Sequence, residues 1–450
     1  MKRSLPQSLF DAATKKKKLE TQRIGNFIVK APEAIIFKIG NSEHFFSPLF
    51  THQVFEDEKI KGYEGLSLEL TLSPKFLVPL LRVSYEKKAP AFAPIDDVEQ
   101  VLRDHYGKLY TDAAKFQTEV LDKEKHLPRF GSKLAEVTCK QGKKFAVHKV
   151  CMNEETFCDW QFSLQCALTF FIDAASKLEI SRYWHYFLLY DEETGDLAGF
   201  TCCYEAFRSA EEFRTKLALI FIFPTFQQRG LGSKLYDVTY HHYKDQPRCY
   251  QLIVEDASDD FQAVQDLVNC KVLLEHAHDL KATLAASNNY LCKPEQVQDA
   301  LAFDIQNIHK LASSLKLPEQ TVLRLIDLIV YSCLEGATSN PSVHAAFRRL
   351  VKKRLYIRCM KVYAELFRGK KQVLLQRRAK ADSVKTPTTW TPLVWNGYME
   401  DDPLCLQGLP EEEPQDDFLT NEGIKVQLKQ MFEAMSSDFD KLKAKVKLAI

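Results

Sequence analysis

Two stretches of this 450-residue chain carry residue types and spacings suited to chemistry. The first is Gln227-Gln-Arg-Gly230-Leu-Gly232. It follows the apolar run Leu217–Phe223, closed by Pro224, and precedes a helical pattern from Ser233 to Tyr243. Glycine reaches backbone angles closed to other residues, so several N–H groups can converge at a helix N-terminus, where an anion, and best a pyrophosphate, fits. The second is Glu255-Asp256, two adjacent carboxylates ending the apolar strand Tyr250–Val254. A carboxylate so placed can take a proton from an attacking group. The order of parts excludes two common nucleotide sites. A P-loop needs Lys-Ser or Lys-Thr after the second glycine, and here Ser233 precedes Lys234. A dinucleotide turn needs a third glycine and a ribose-binding acid on the next strand.

Strand, glycine turn, helix, strand and acid, in that order, resemble the coenzyme A loop of the GNAT acetyltransferases. The resemblance narrows to the type B histone acetyltransferases on Ile222–Gly232, Val254-Glu-Asp256, Arg182–Phe187, Thr51–Glu58 and Gly62–Leu66. It runs from about residue 26 to residue 380. It implies an α/β (α+β) chain with a GNAT core, a small N-terminal α/β domain and a C-terminal helical domain. It also implies acetyl-CoA as acetyl donor, direct attack by a lysine amine in a ternary complex, and no metal.

Residue by residue, the resemblance makes Glu255 the general base, more effective if burial raises its pKa. Asp256 lies beside it with the opposite side-chain direction if the strand persists. Asp173, on the helical stretch Phe171–Ser176, stands where the family usually has Glu. Gln227, Gln228, Arg229, Gly230, Leu231, Gly232 and Ser233 would hold the pyrophosphate. Backbone N–H around Ile220, Phe221 and Ile222 would meet the thioester carbonyl. Glu56, Asp57 and Glu58, with Tyr204, Glu205 and Ala206, would face a basic histone tail. Two departures qualify the pattern: Ala218-Leu219 replaces a Ser-Gln pair, and Leu231 stands where His is common. His241-His242 with Asp245 resembles another acyltransferase signature, but the aspartate comes one residue early and no glycine follows.

The implied substrate is the amino-terminal tail of histone H4, and the implied partner a WD-repeat histone chaperone, in nucleus and cytoplasm. Two other functions fit the same residues: a histone-binding scaffold that has lost catalysis, and an acetyltransferase for another basic protein or a polyamine.

The elements that position these residues follow from pattern. Leu66-Ser-Leu-Glu-Leu-Thr-Leu72 alternates with period two, and Leu77–Tyr85 is its partner strand, interrupted by Pro79. Helical periodicity marks Asp97–Lys125, Phe157–Leu178 and Asp259–Glu275, and an apolar face on the second comprises Trp160, Phe162, Leu164, Leu168 and Phe171. Trp184–Tyr190 and Leu197–Tyr204 flank the turn Asp191–Asp196 as a hairpin. From Lys293 to about Lys380 the text is helical, with breaks at Pro318 and Pro341. Expected boundaries are a basic tail at 1–25, an N-terminal α/β domain at 26–130, a catalytic domain at 131–290, helices at 291–380, an acidic linker at 381–420 and an amphipathic helix at 421–450. That last helix docks either on the chain's own core or on a partner.

Twelve cysteines without C-x-x-C spacing suit buried thiols in a reducing compartment rather than zinc. No run of 18 apolar residues occurs, so no membrane span or membrane partner is expected. The net charge of +1 conceals segregation. Residues 1–18 hold six bases, in the spacing of a bipartite nuclear import signal. Arg348–Lys380 holds thirteen bases against Glu365, and Glu400–Asp417 holds eight acids and no base. Sorted charge of this kind marks partner-facing surfaces. Phe347–Arg358 alternates apolar and basic residues but lacks interleaved aromatics at recognition spacing or any known fold cue, so direct nucleic-acid binding is not expected.

Overall fold

The computed structural model describes residues 27–40, 42–90, 93–173, 175–255, 257–302, 305–334, 340–357 and 421–447. The basic tail, the acidic linker and the basic stretch beyond 357 lie outside them, as does Asp256. The chain divides into two compact units. One comprises residues to Tyr204 with Leu219–Val238, the other Glu205–Ala218 with the chain from Thr239 onward.

In the first unit, β1 (Ile35–Ile39) runs parallel to β2 (Ser67–Leu72), and β2 pairs antiparallel with β3 (Pro79–Ser84). The period-two text is explained by burial: Leu68, Leu70 and Leu72 are fully enclosed, while Glu69 turns outward to Lys38 at 2.9 Å. Pro79 is tolerated because it opens an edge strand, where its missing N–H costs no ladder bond. Helix α1 (Val98–Tyr106) is capped by Asp97, whose carboxylate accepts from Gln100 N.

The expected helix Phe157–Leu178 is shorter. Helix α2 spans Glu155–Leu168. The Phe170 carbonyl, which a continuing helix would keep for its own ladder, accepts Leu49 N and Phe50 N at 2.8 and 3.1 Å. Phe170 and Phe171 are thereby turned into a cluster with Phe37, at centroid distances of 5.1 and 5.5 Å. Phe162 is not on the buried face; it is exposed beneath the Lys177 ammonium. Strands β4 (Ser132–Thr138), β5 (Lys144–Cys151), β6 (Trp184–Asp191) and β7 (Leu197–Phe207) follow as an antiparallel run. The later half of β8 (Phe213–Ile222) lies next to β7.

In the second unit, the first half of β8 pairs parallel with β9 (Cys249–Val254). Helix α3 (Leu231–Lys244) begins in the first unit and ends in the second. Helix α4 (Asp259–His276) starts at Ser258, whose hydroxyl accepts from Phe261 N. Short helices lead to α5 (Glu319–Ser332), and a further helix occupies 341–357. Helix α6 (Asn421–Lys447) packs on α5 and α4 through Phe439, Leu442 and Val446, all buried. Arg324 on α5 ties the three together, reaching Asp266 at 3.0 Å and Asp438 at 3.6 Å. The amphipathic C-terminal helix thus docks on its own core. No helix among the described residues is long and apolar enough to cross a membrane.

Candidate active site

The glycine turn belongs to the first unit up to Val238. After β8 a short turn, Pro224–Phe226, leads to Gln227, whose amide donates to Ile222 O at 2.8 Å. Arg229 folds its guanidinium back onto Thr225 O at 2.7 Å. Positive φ occurs at Gln228 (60°) and Gly230 (79°), but not at Gly232. The reading that both glycines supply forbidden angles therefore needs correction: Gly232 already lies in the first turn of α3. Leu231, fully buried, anchors the start of that helix. An α-helix leaves its first N–H groups without ladder partners, so those of Leu231, Gly232 and Ser233 emerge at this end.

The central strand outlasts its parallel neighbour. Pairing of β8 with β9 ends at Leu217↔Val254, and Glu255 N donates to Leu217 O at 3.1 Å as the last link. The strand itself runs on to Ile222. Its other edge is occupied: Thr201 Oγ1 donates to Leu219 O at 2.8 Å, and Phe223 N to Ala198 O at 3.0 Å. The approach is close at Gly199, where a Cβ would lie 2.4 Å from Phe221 O. Ile220, Phe221 and Ile222 thus stand, half-buried, where β7 still borders the strand and the β9 pairing has ended, an arrangement in which backbone N–H groups on that edge can be offered to a bound carbonyl.

Glu255 lies one residue beyond the end of β9 in the second unit. Burial does not surround it, since its side chain is 42% exposed. Its partner is a cation: Lys216 Nζ sits 2.9 Å from Glu255 Oε1. The strand ends before the pair of acids, so the alternating directions expected for Glu255 and Asp256 do not apply to Glu255.

The acidic loop is only partly open. Glu58 accepts from Thr51 N at 2.9 Å and Thr51 Oγ1 at 3.1 Å, and the Thr51 N–H holds its carboxyl below the ordinary range. Asp57 and Glu58 adopt left-handed φ of 52° and 55° to make this turn. Glu56 and Asp57 remain exposed. Asp173 is not on a helix; it sits in the turn after α2, 3.3 Å from His52 Nε2. Gln53 Nε2 also donates to Ala175 O at 3.0 Å. The Thr51–Glu58 loop and the turn bearing Asp173 are therefore one structure. Tyr204 packs on Trp184 across the hairpin at 4.8 Å, whereas Glu205 and Ala206 belong to the second unit.

Sequence reasoning missed His52, Lys216 and Gly199. His52 lay inside the Thr51–Glu58 stretch, Gly199 stood inside a strand pattern where an isolated glycine signals close backbone approach, and Lys216 carried no signal. Cys202 and Cys203 are buried, and burial pushes the Cys202 thiol far above its usual range, which disfavours a thiolate nucleophile.

The chain matches two families: "Histone acetyl transferase HAT1 N-terminus" over residues 26–173, and "Acetyltransferase (GNAT) family" over residues 152–267. It is 26% identical over 388 residues to the "Histone acetyltransferase type B catalytic subunit" of Mycosarcoma maydis, covering 78% of this chain and 81% of that one. The Yarrowia lipolytica protein of the same name is 25% identical over 402 residues, covering 80% and 87%. The mouse protein of that name is 28% identical over 260 residues, covering 54% and 62%.

Proposed function

Because the chain belongs to the type B histone acetyltransferases, a branch of the GNAT acetyltransferases, we propose that it transfers acetyl from acetyl-CoA to lysines in the amino-terminal tail of histone H4. The observation that carries this reading is the strand β8 that continues past its parallel partner and ends in a helix-capping glycine turn. That turn suits the pyrophosphate of coenzyme A, and the Ile220–Ile222 edge beyond the β9 pairing suits its thioester carbonyl.

The chemistry proceeds by direct attack. An ordinary lysine, with a pKa of about 10.4, must lose a proton to react near neutral pH. Glu255 accepts that proton, directly or through one water. Lys216 holds the carboxylate at Oε1, which limits its rotation. The amine nitrogen bonds to the acetyl carbon, and N–H groups of the β8 continuation meet the charge developing on oxygen. The C–S bond then breaks, and the leaving coenzyme A thiolate takes up a proton.

Glu56, Asp57 and Asp173 supply acidic surface for a basic tail, and Tyr204, packed on Trp184, offers an aromatic ring to it. A WD-repeat histone chaperone is the partner this reading implies, with work in both nucleus and cytoplasm. The Ala218-Leu219 departure favours one rival, a histone-binding scaffold that has lost turnover. The test is acetyl transfer to an H4 tail peptide, set against unrelated basic peptides and spermidine. Selective turnover of the H4 tail supports the reading, and equal turnover of all substrates overturns the histone assignment. Binding of coenzyme A and peptide without turnover favours the scaffold.

A further inference from the structure

We propose that Lys140 is a further binding residue for the acetyl donor, its ammonium engaging a phosphate of coenzyme A at the Gln227–Ser233 turn. The inference rests on the reading of that turn given above. Lys140 lies in the tight connection between β4 and β5, about 90 residues before the glycine turn in sequence.

Three observations converge. First, the connection is a closed turn: Cys139 N donates to Lys143 O at 2.9 Å and Gly142 N to Cys139 O at 3.0 Å, with Gly142 at φ +82°. Second, this turn is fastened to the glycine turn. Lys140 N donates to Arg229 O at 3.0 Å, and the Lys140 stem crosses Gly230. A Cβ placed on Gly230 would meet Lys140 Cε at 3.3 Å and Cγ at 3.4 Å. Third, the two lysines that close the hairpin after Lys140 are each paired with acids. Lys143 pairs with Asp191 at 2.8 Å and Glu193 at 3.3 Å, and Lys144 with Glu136 at 2.9 Å. Lys140 has no carboxylate partner among the described residues, and its side chain is exposed.

The one base within the glycine turn is otherwise engaged. Arg229 donates to Thr225 O and lies over the Phe226 ring at 5.4 Å, so it shapes the loop. Backbone N–H groups supply direction at a helix N-terminus but only partial charge. A lysine on a flexible stem adds a whole positive charge that can follow a phosphate. Gly230 then serves two purposes: it permits a left-handed turn, and it leaves the groove along which the lysine stem runs.

The experiment is calorimetric titration of coenzyme A and 3′-dephospho-coenzyme A into wild type, Lys140→Ala and Lys140→Arg, with melting curves of the free proteins as a folding control. The expected result is an affinity about 10-fold weaker in Lys140→Ala, with Lys140→Arg within about 3-fold of wild type. Loss confined to coenzyme A assigns the contact to the 3′-phosphate. Equal loss for both nucleotides assigns it to the pyrophosphate. Unchanged binding of both by a folded Lys140→Ala overturns the proposal while leaving the turn as the coenzyme A site. A wild type that binds neither nucleotide overturns the reading of the turn, and the proposal with it.

Discussion

Lys216 and Glu255 face each other at 2.9 Å where the parallel pairing of β8 and β9 ends. Lys216 lies on the strand one residue before the last paired position, and Glu255 follows the last residue of β9. The pair therefore marks the fork from which the two strands separate. An exposed ion pair of this kind contributes about 0–1 kcal/mol, too little to matter for stability. Its consequence is orientation, since it fixes one carboxylate oxygen and directs the other.

From this follows a prediction about Lys216. Replacement by Met removes the orienting contact and lowers kcat/KM for the peptide by about 10-fold, whereas Lys216→Arg retains most activity. Steady-state kinetics on both variants decide it. An unaffected Lys216→Met would mean that the pair has no part in catalysis.

The two glycines should behave differently. Gly230→Ala forces a side chain into a left-handed position against Lys140, and it lowers both Tm and coenzyme A affinity. Gly232→Ala sits in a helical turn with its nearest neighbour, Ile222 Cγ1, at 3.8 Å. It therefore raises stability by up to about 1 kcal/mol of helix propensity, and Tm with it. Melting curves and nucleotide titrations on the pair separate backbone strain from ligand contact.

Glu58 gives a pH-dependent prediction. Its folded pKa is lowered by the Thr51 N–H, so its contribution is present above the unfolded carboxylate range and disappears as pH falls through the folded value. Glu58→Gln should melt below wild type at pH 7, with the gap closing towards pH 3. A gap independent of pH would show that charge is not what Thr51 recognises.

Glu124 has the opposite sign. Burial pushes its carboxyl up to about 7, against an unfolded value of about 4.3. The folded state thus binds more protons between those values, and stability falls as pH rises from about 4.3 to about 7. Glu124→Gln has no charge to desolvate, but its single oxygen can accept from only one of Lys75 N and Phe76 N, which bond Oε2 and Oε1 separately. Its Tm relative to wild type should therefore rise from pH 5 to pH 8. A constant difference would contradict the assignment.

Local pattern made much of this chain legible. Alternating leucines at 68, 70 and 72 announced a half-buried strand, and the turn between β8 and α3 was written in glycine and glutamine. What escaped depends on partners distant in sequence. Helix α2 ends where it does because Leu49 and Phe50 claim the Phe170 carbonyl, and the same event removes Asp173 from a helix and gives it His52. Lys216 and Lys140 are ordinary strand and turn lysines until the fold brings Glu255 to one and Gly230 to the other. Glu58 read as one acid of three, yet Thr51 takes its carboxylate for the loop itself.

The most direct measurement is acetyl transfer from acetyl-CoA to an H4 tail peptide by wild type and Glu255→Gln, each checked for coenzyme A binding. Glutamine cannot accept the amine proton, so turnover should fall by about 10²-fold or more while coenzyme A affinity is retained. Undiminished turnover in Glu255→Gln would contradict the assignment of Glu255 as the base.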